Sequence, residues 1–182
     1  MLKTRHIIFI FLPAILIAGF ALFIQIVQYR SANEAENPET ASIQIPVFPD
    51  DPILGDKKAG ITVIAFEDFG CPGCKDQSDI FNELLDKYPG KIKIIWKGLP
   101  VTRFPFSTRR TNEYAFCANR QGKFSAFKEF AFANMDQLSQ DTLKAIQIQT
   151  GVDEKKFSEC LASGDAEAYI QKIEQLALSL QI

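Results

Sequence analysis

The sequence predicts an α/β domain, a single βαβ unit followed by a run of helices, behind an apolar N-terminal segment. Three observations predict it. Ile61–Phe66 (ITVIAF) and Lys91–Trp96 (KIKIIW) are short and rich in apolar β-branched residues, as buried strands are. Between them Ile80, Phe81, Leu84 and Leu85 recur at helical spacing. After Pro105 the apolar pattern is helical to the last residue.

The first element is the N-terminal segment. Lys3, Arg5 and His6 precede a charge-free run of 21 residues from Ile7 to Val27, interrupted only by Pro13, Gly19 and Gln25. At about 1.5 Å per helical residue such a run crosses a hydrocarbon core of roughly 30 Å. Glu34 and Glu36 follow, so the positive-inside rule puts the N-terminus in the cytoplasm and the rest on the extracytoplasmic side. Residues 1–30 thus read as a cytoplasmic n-region and a single-pass transmembrane signal anchor in the cell membrane. A cleaved signal peptide is the competing reading. Its apolar region is shorter and ends at a small-residue site, which Gln25–Arg30 does not supply. Residues 31–52 contain Pro38, Pro46, Pro49 and Pro52 and read as a flexible linker, with a short extended piece near 43–45.

The folded region begins near Ile53. Cys71–Lys87 is the predicted crossover helix, closed by the turn Tyr88-Pro89-Gly90, and the two strands it joins are expected to lie parallel. Predicted helices then follow at 109–119, 123–135, 141–150, 154–162 and 165–180. Phe124, Phe127 and Phe130 form one apolar face, Gly151 and Gly164 are C-terminal stops, and Asp153 is an N-cap.

Composition narrows the function. The chain has 182 residues, 47% hydrophobic, with 16 Phe, which is enough apolar surface for a packed core. Beyond Arg30 there are 17 basic and 22 acidic residues, a net charge of −5, so no electrostatic footprint for nucleic acid exists. The only histidine, His6, precedes the apolar run, which excludes histidine-based catalysis in the exported part. The cluster Arg103, Arg109 and Arg110 reads as a solvated face.

The chemistry points to Cys71 and Cys74. They lie where a strand hands over to a helix, and unpaired N–H groups at a helix start favour negative charge on the first sulfur. Two intervening residues let the second sulfur reach the first, and Pro72 costs little in a first helical turn. Half a zinc site and a purely structural disulfide are the alternatives for the pair. Cys117 and Cys160 form no second close pair and stand in predicted helices. On the oxidising side of a membrane they are expected to form a structural disulfide, with two free buried thiols or a second redox pair as alternatives. No cofactor and no metal are expected.

Several stretches resemble the DsbA-like branch of the thioredoxin family, the branch with a helical insertion. They are Leu54-Gly55-Asp56, Phe66–Cys74 (FEDFGCPGC), Trp96–Pro100 (WKGLP), Cys117–Phe124 (CANRQGKF) and Phe157–Leu161 (FSECL). The resemblance runs from about Ile53 to the terminus and implies a DsbA-like domain over 53–182, with the insertion at about 105–182. It implies a thiol–disulfide oxidoreductase acting on protein thiols, with Cys71 as the exchanging cysteine and Cys74 as the resolving one. Two departures stand out. The family's buried acid, six residues before the first cysteine, is replaced by Ala65, with Glu67 and Asp68 nearby. The family's Thr-Pro loop with its cis proline, and the two antiparallel strands and helix after it, have no counterpart, so the C-terminal ββα half is expected to be missing from a truncated sequence.

The expected function is exchange of disulfides with protein substrates on the extracytoplasmic side, with a membrane redox partner restoring the active state. Pro72-Gly73 lacks the histidine of the strongly oxidising members, which implies a less extreme potential. The alternatives are a non-catalytic tethered thiol module that binds a partner or metal, and an inactive fragment of a longer oxidoreductase.

Overall fold

Branched side chains pack well on a pleated surface. In the computed structural model, which describes residues 18–28 and 44–182, the two predicted runs are neighbouring parallel strands, β2 (Ile61–Glu67) and β3 (Ile92–Gly98). Val63 faces Ile94 and Ile64 faces Ile95 across them. A short strand, β1 (Ile53–Gly55), pairs antiparallel with the other side of β3, giving the order β1-β3-β2. The central strand is buried from Ile94 to Gly98. β1 was not expected, because three residues carry no readable period.

Residues 18–28 are helical (α1) and expose Phe20, Leu22, Phe23, Ile24, Ile26 and Val27. Among the described residues no helix is long and apolar enough to cross a membrane. Residues 7–17 of the predicted span and 31–43 of the predicted linker lie outside the described residues.

The crossover is helix α2 (Pro72–Lys87), and the helical run is α3 (Thr108–Asn119), α4 (Phe124–Ala133), α5 (Gln140–Thr150), α6 (Glu154–Ser163) and α7 (Asp165–Leu180). Gly151 closes α5 at φ 68°, a left-handed conformation that favours glycine, and the Asp153 side chain caps α6 at the Lys156 N–H. The Phe-rich composition is spent where the sheet meets α4. Phe69, fully buried, has ring centroids 5.2 Å from Trp96, 6.0 Å from Phe127 and 5.1 Å from Phe132, and Trp96 lies 4.9 Å from Phe124. Such pairs add about 0.5–1.5 kcal/mol each beyond the area they bury. Cys117 of α3 and Cys160 of α6 are bonded, with an S–S distance of 2.07 Å across 43 residues of chain.

The linker expected up to residue 52 gives way earlier, because Phe48–Pro52 is packed into the domain. Asp51 is buried; its Oδ2 accepts from Lys97 Nζ and from the Phe48 N–H, both at 2.7 Å, and its Oδ1 accepts from the Tyr169 hydroxyl at 2.7 Å. Lys97 lies 4.3 Å from the Phe48 ring centroid, and the Pro52 carbonyl accepts from the Trp96 N–H at 2.9 Å. Proline and acidic residues made the stretch read as solvated, but the partner of Asp51 is 46 residues away.

Removing one member of a fully buried ion pair strands the other without its counter-charge. Lys97→Met is therefore expected to lower unfolding free energy by about 3–5 kcal/mol. Urea denaturation followed by Trp96 fluorescence reads this directly, and a loss below about 1 kcal/mol, the level of an exposed pair, would contradict the role given to Lys97.

Candidate redox site

β2 delivers Glu67 and Asp68 to the sheet end, and the turn Asp68–Gly70 carries the chain into α2. Cys71 has an extended backbone and is the N-cap residue, so the helix starts one residue later than predicted. Its Sγ accepts the Cys74 N–H at 3.2 Å, while its carbonyl accepts the N–H groups of Cys74 and Lys75 at 3.0 and 3.1 Å. Sulfur thus fills the position that a serine or aspartate oxygen commonly holds at a helix start. Pro72 at the first helical position removes an N–H that would have had no partner.

Cys71 and Cys74 come together as predicted, both half-buried and both free thiols. Burial pushes the Cys74 thiol up to about 12, and its neighbours Cys71 and Glu67 push the same way, against a 3.5 Å hydrogen bond from the Asp68 N–H to its sulfur. At neutral pH Cys74 is therefore a protonated thiol.

Two acidic residues surround this turn. Asp68 is buried and accepts hydrogen bonds from three backbone donors: Gly70 N–H on Oδ1 at 3.1 Å, and the N–H groups of Val101 and Thr102 on Oδ2 at 2.9 and 2.5 Å. It ties the loop after β3 to the redox turn. Glu67 is also buried; its Oε2 accepts from the Trp96 indole N–H at 2.7 Å, and its Oε1 has no partner among the described residues. Burial raises the Glu67 pKa, with the Lys128 charge and the Trp96 hydrogen bond acting the other way. Burial lowers the Lys128 pKa, and its Nζ donates to Ser78 Oγ at 2.7 Å.

The other predicted features fall away from this turn. Arg109 is a clamp between α3 and α7, donating to Glu167 from Nε at 2.9 Å and Nη2 at 2.6 Å, and to Glu174 from Nη1 at 2.6 Å. Arg110 pairs with Glu113, and Arg103 is exposed. Among the described residues no group of three or more His, Cys, Asp or Glu is placed to hold a metal ion.

The sequence model of the family described as thioredoxin matches residues 48–182. The chain belongs to the thioredoxin family. Similar in fold is a thioredoxin-like oxidoreductase from Silicibacter pomeroyi, with 23% identity, 74% of this chain and 76% of that one covered, and a TM-score of 0.62. So is the thiol-disulfide exchange protein alpha-DsbA2 from Wolbachia pipientis, at 20% identity, 72% and 71% coverage, and a TM-score of 0.61. In sequence the chain is 31% identical over 121 residues to the Na(+)/H(+) antiporter NhaA 3 of Salinispora tropica, covering 66% of this chain and 18% of the antiporter. It spans about a fifth of the length of that curated relative.

In this thioredoxin-family domain, Glu67 is the residue that sequence reasoning left unassigned. Successive strand side chains alternate, so Ala65 and Glu67, two apart in β2, share a face. Both are buried. The acid missing at position 65 is thus matched by one on the same face, one step nearer Cys71. That signal was available in the i, i+2 spacing; Lys128, 61 positions further along the chain, carried no such signal.

The raised pKa of Glu67 has a signed consequence for stability. The folded state holds this proton more tightly than the unfolded state, so stability falls as pH rises from about 4.5 through the folded-state pKa. Relative to Glu67→Gln, the wild type should lose unfolding free energy across that window and differ by a constant below it. Paired urea titrations between pH 4 and 8 measure the difference, and a difference that grows in favour of the wild type as pH rises would contradict the burial of the carboxyl.

Proposed function

We propose that the chain is a thiol–disulfide oxidoreductase of protein substrates, held on the extracytoplasmic side of the cell membrane by the apolar segment 7–27. The observation that carries this reading is the Cys71 sulfur at the head of a 16-residue helix, accepting the Cys74 N–H. Negative charge that develops on that sulfur when it attacks or leaves meets an N–H donor and the positive end of the helix dipole, as a nucleophile and leaving group in thiol–disulfide exchange requires. The family match supports the fold in which such exchange occurs, and the solvent-exposed apolar side chains of α1 support a membrane role for that segment.

In the oxidised protein a substrate thiolate attacks Cys71 Sγ. A bond forms between the two sulfurs, the Cys71–Cys74 bond breaks, and Cys74 leaves with the electron pair and takes up a proton. A second substrate thiolate attacks the substrate sulfur of this mixed disulfide, giving a substrate disulfide and the Cys71 and Cys74 thiols. Two electrons pass from substrate to protein, and a membrane redox partner removes them. In the reverse sense Cys74 resolves the mixed disulfide and must first lose its proton. Glu67, a buried carboxyl whose charge acts on Cys74 and whose Oε1 has no hydrogen-bond partner among the described residues, is the group to which we assign that proton.

Cys74→Ser removes the resolving thiol and leaves the exchanging one. Cells expressing it should accumulate mixed disulfides between Cys71 and exported proteins, recovered in the membrane fraction and released by reductant. Cys71→Ser should accumulate none. Equal trapping by both variants, or adducts only with cytosolic proteins, would refute the assignment of roles or of side.

A further inference from the structure

Charge is unevenly distributed along the chain. The turn between β1 and β2 carries Asp56, Lys57 and Lys58, and the end of α2 with the start of β3 carries Asp86, Lys87, Lys91 and Lys93. That is five lysines against two aspartates, a net charge of +3. The rest of the chain beyond Arg30 has 12 basic and 20 acidic residues, a net charge of −8. Among the described residues none of these five lysines belongs to an ion pair.

The fold gathers these lysines at one end of the sheet. Gly55 of β1 is paired with Lys93, and Ile61 of β2 with Ile92. Lys93 Nζ donates to the Lys57 carbonyl at 3.1 Å, and the Lys91 carbonyl accepts the Ile61 N–H at 3.1 Å, so the two turns lie side by side. Asp56 is engaged within its own turn, where Oδ1 accepts the Lys58 N–H at 2.8 Å. Lys57, Lys58, Lys87 and Lys91 are exposed. Two apolar side chains stand among them in water: Ile61 is 57% exposed and Tyr88 43%, with Lys87 Nζ 5.5 Å from the Tyr88 ring centroid. The redox turn follows the other end of β2, about 20 Å away along a strand of seven residues.

Resting on the reading of the chain as membrane-anchored, we propose that this basic pole docks on a bilayer surface of anionic lipids and turns the redox end of the domain away from it. Lysine stems reach headgroup phosphates while a tyrosine ring lies at headgroup level, so the side chains exposed here are those of an interfacial surface. Each basic residue near an anionic leaflet favours the bound state about fivefold, and a net +3 amounts to about a hundredfold. Such an attraction is weak for a protein free in solution. The anchor makes it intramolecular, because a chain from residue 28 to residue 48 spans at most roughly 70 Å even when fully extended. The same lipids repel the acidic remainder, which fixes orientation as well as contact. Docked in this way, the domain presents Cys71 to exported proteins. The attraction fades within a Debye length of about 8 Å, so docking is reversible and release lets the redox turn meet a partner in the membrane.

The test uses the full chain in nanodiscs of phosphatidylcholine alone and of phosphatidylcholine mixed with phosphatidylglycerol. A water-soluble acetylating reagent labels the lysines, and mass spectrometry reads the rate at each one. Lys144 on α5 and Lys155 on α6, both exposed, are the internal references, so each rate is a ratio within one sample. On the anionic discs Lys58, Lys87 and Lys91 should be labelled about fivefold more slowly relative to the references than on phosphatidylcholine, the factor that one basic residue contributes. The protection should vanish at about 1 M salt, where the Debye length is about 3 Å. The double variant Lys58→Glu, Lys91→Glu changes exposed side chains only, and in it Lys87 should lose its protection. Equal labelling on the two lipids overturns the docking, and so does equal protection on both, as contact with the acidic remainder of a second copy would give. Protection that survives salt or the double variant also overturns it. In each of these outcomes the chain still travels with the discs, and the anchoring stands. A chain that does not travel with the discs overturns the anchoring, and the docking with it.

Discussion

Everything at the redox turn depends on a sulfur acting as a helix cap. The Cys71 Sγ accepts the Cys74 N–H, and that single contact sets the spacing of the two thiols and the start of α2. It requires the turn before it to be rigid. Asp68 supplies the rigidity from below, with its carbonyl accepting the Cys71 N–H at 3.1 Å and its carboxylate taking three further backbone donors. Phe69 supplies it from the side, as the fully buried centre of the aromatic cluster between β3 and α4. The helical insertion is thus more than a lid on the sheet: its α4 rings clamp the residue that aims Cys71.

Buried charge is the second theme. The core holds Glu67, Asp68, Lys97 and Lys128, together with Asp51. Apolar residues of similar volume stabilise a fold at least as well as buried ion pairs, so stability is a weak reason for them. Their positions suggest placement instead. Asp51 and Lys97 dock the entry segment 48–52 onto the central strand and α7. Glu67 and Lys128 are buried groups whose charges act on each other, and the Glu67 charge joins burial in raising the Cys74 pKa.

Much of this was legible in the sequence where a pattern repeats. β2, β3 and the five helices after β3 were readable because their apolar residues recur with a period, and Gly151 and Asp153 end and begin helices by local chemistry alone. The cysteine pair was readable because its chemistry needs only a short spacing at a strand-to-helix junction. What escaped depends on distant partners. Asp51 looks solvated until Lys97 and Tyr169 are brought to it, and Arg109 looks like a surface charge until α7 supplies Glu167 and Glu174.

The most direct measurement of the central claim is a redox titration of the full chain against glutathione, with free thiols counted by mass at each potential. The account predicts one two-electron transition confined to Cys71 and Cys74, with Cys117–Cys160 remaining bonded throughout. Its midpoint should lie below the roughly −120 mV of a strongly oxidising member and no lower than about −270 mV, the value of a dithiol reductant. No defined transition, or pairing scrambled between these cysteines and Cys117 or Cys160, would contradict it.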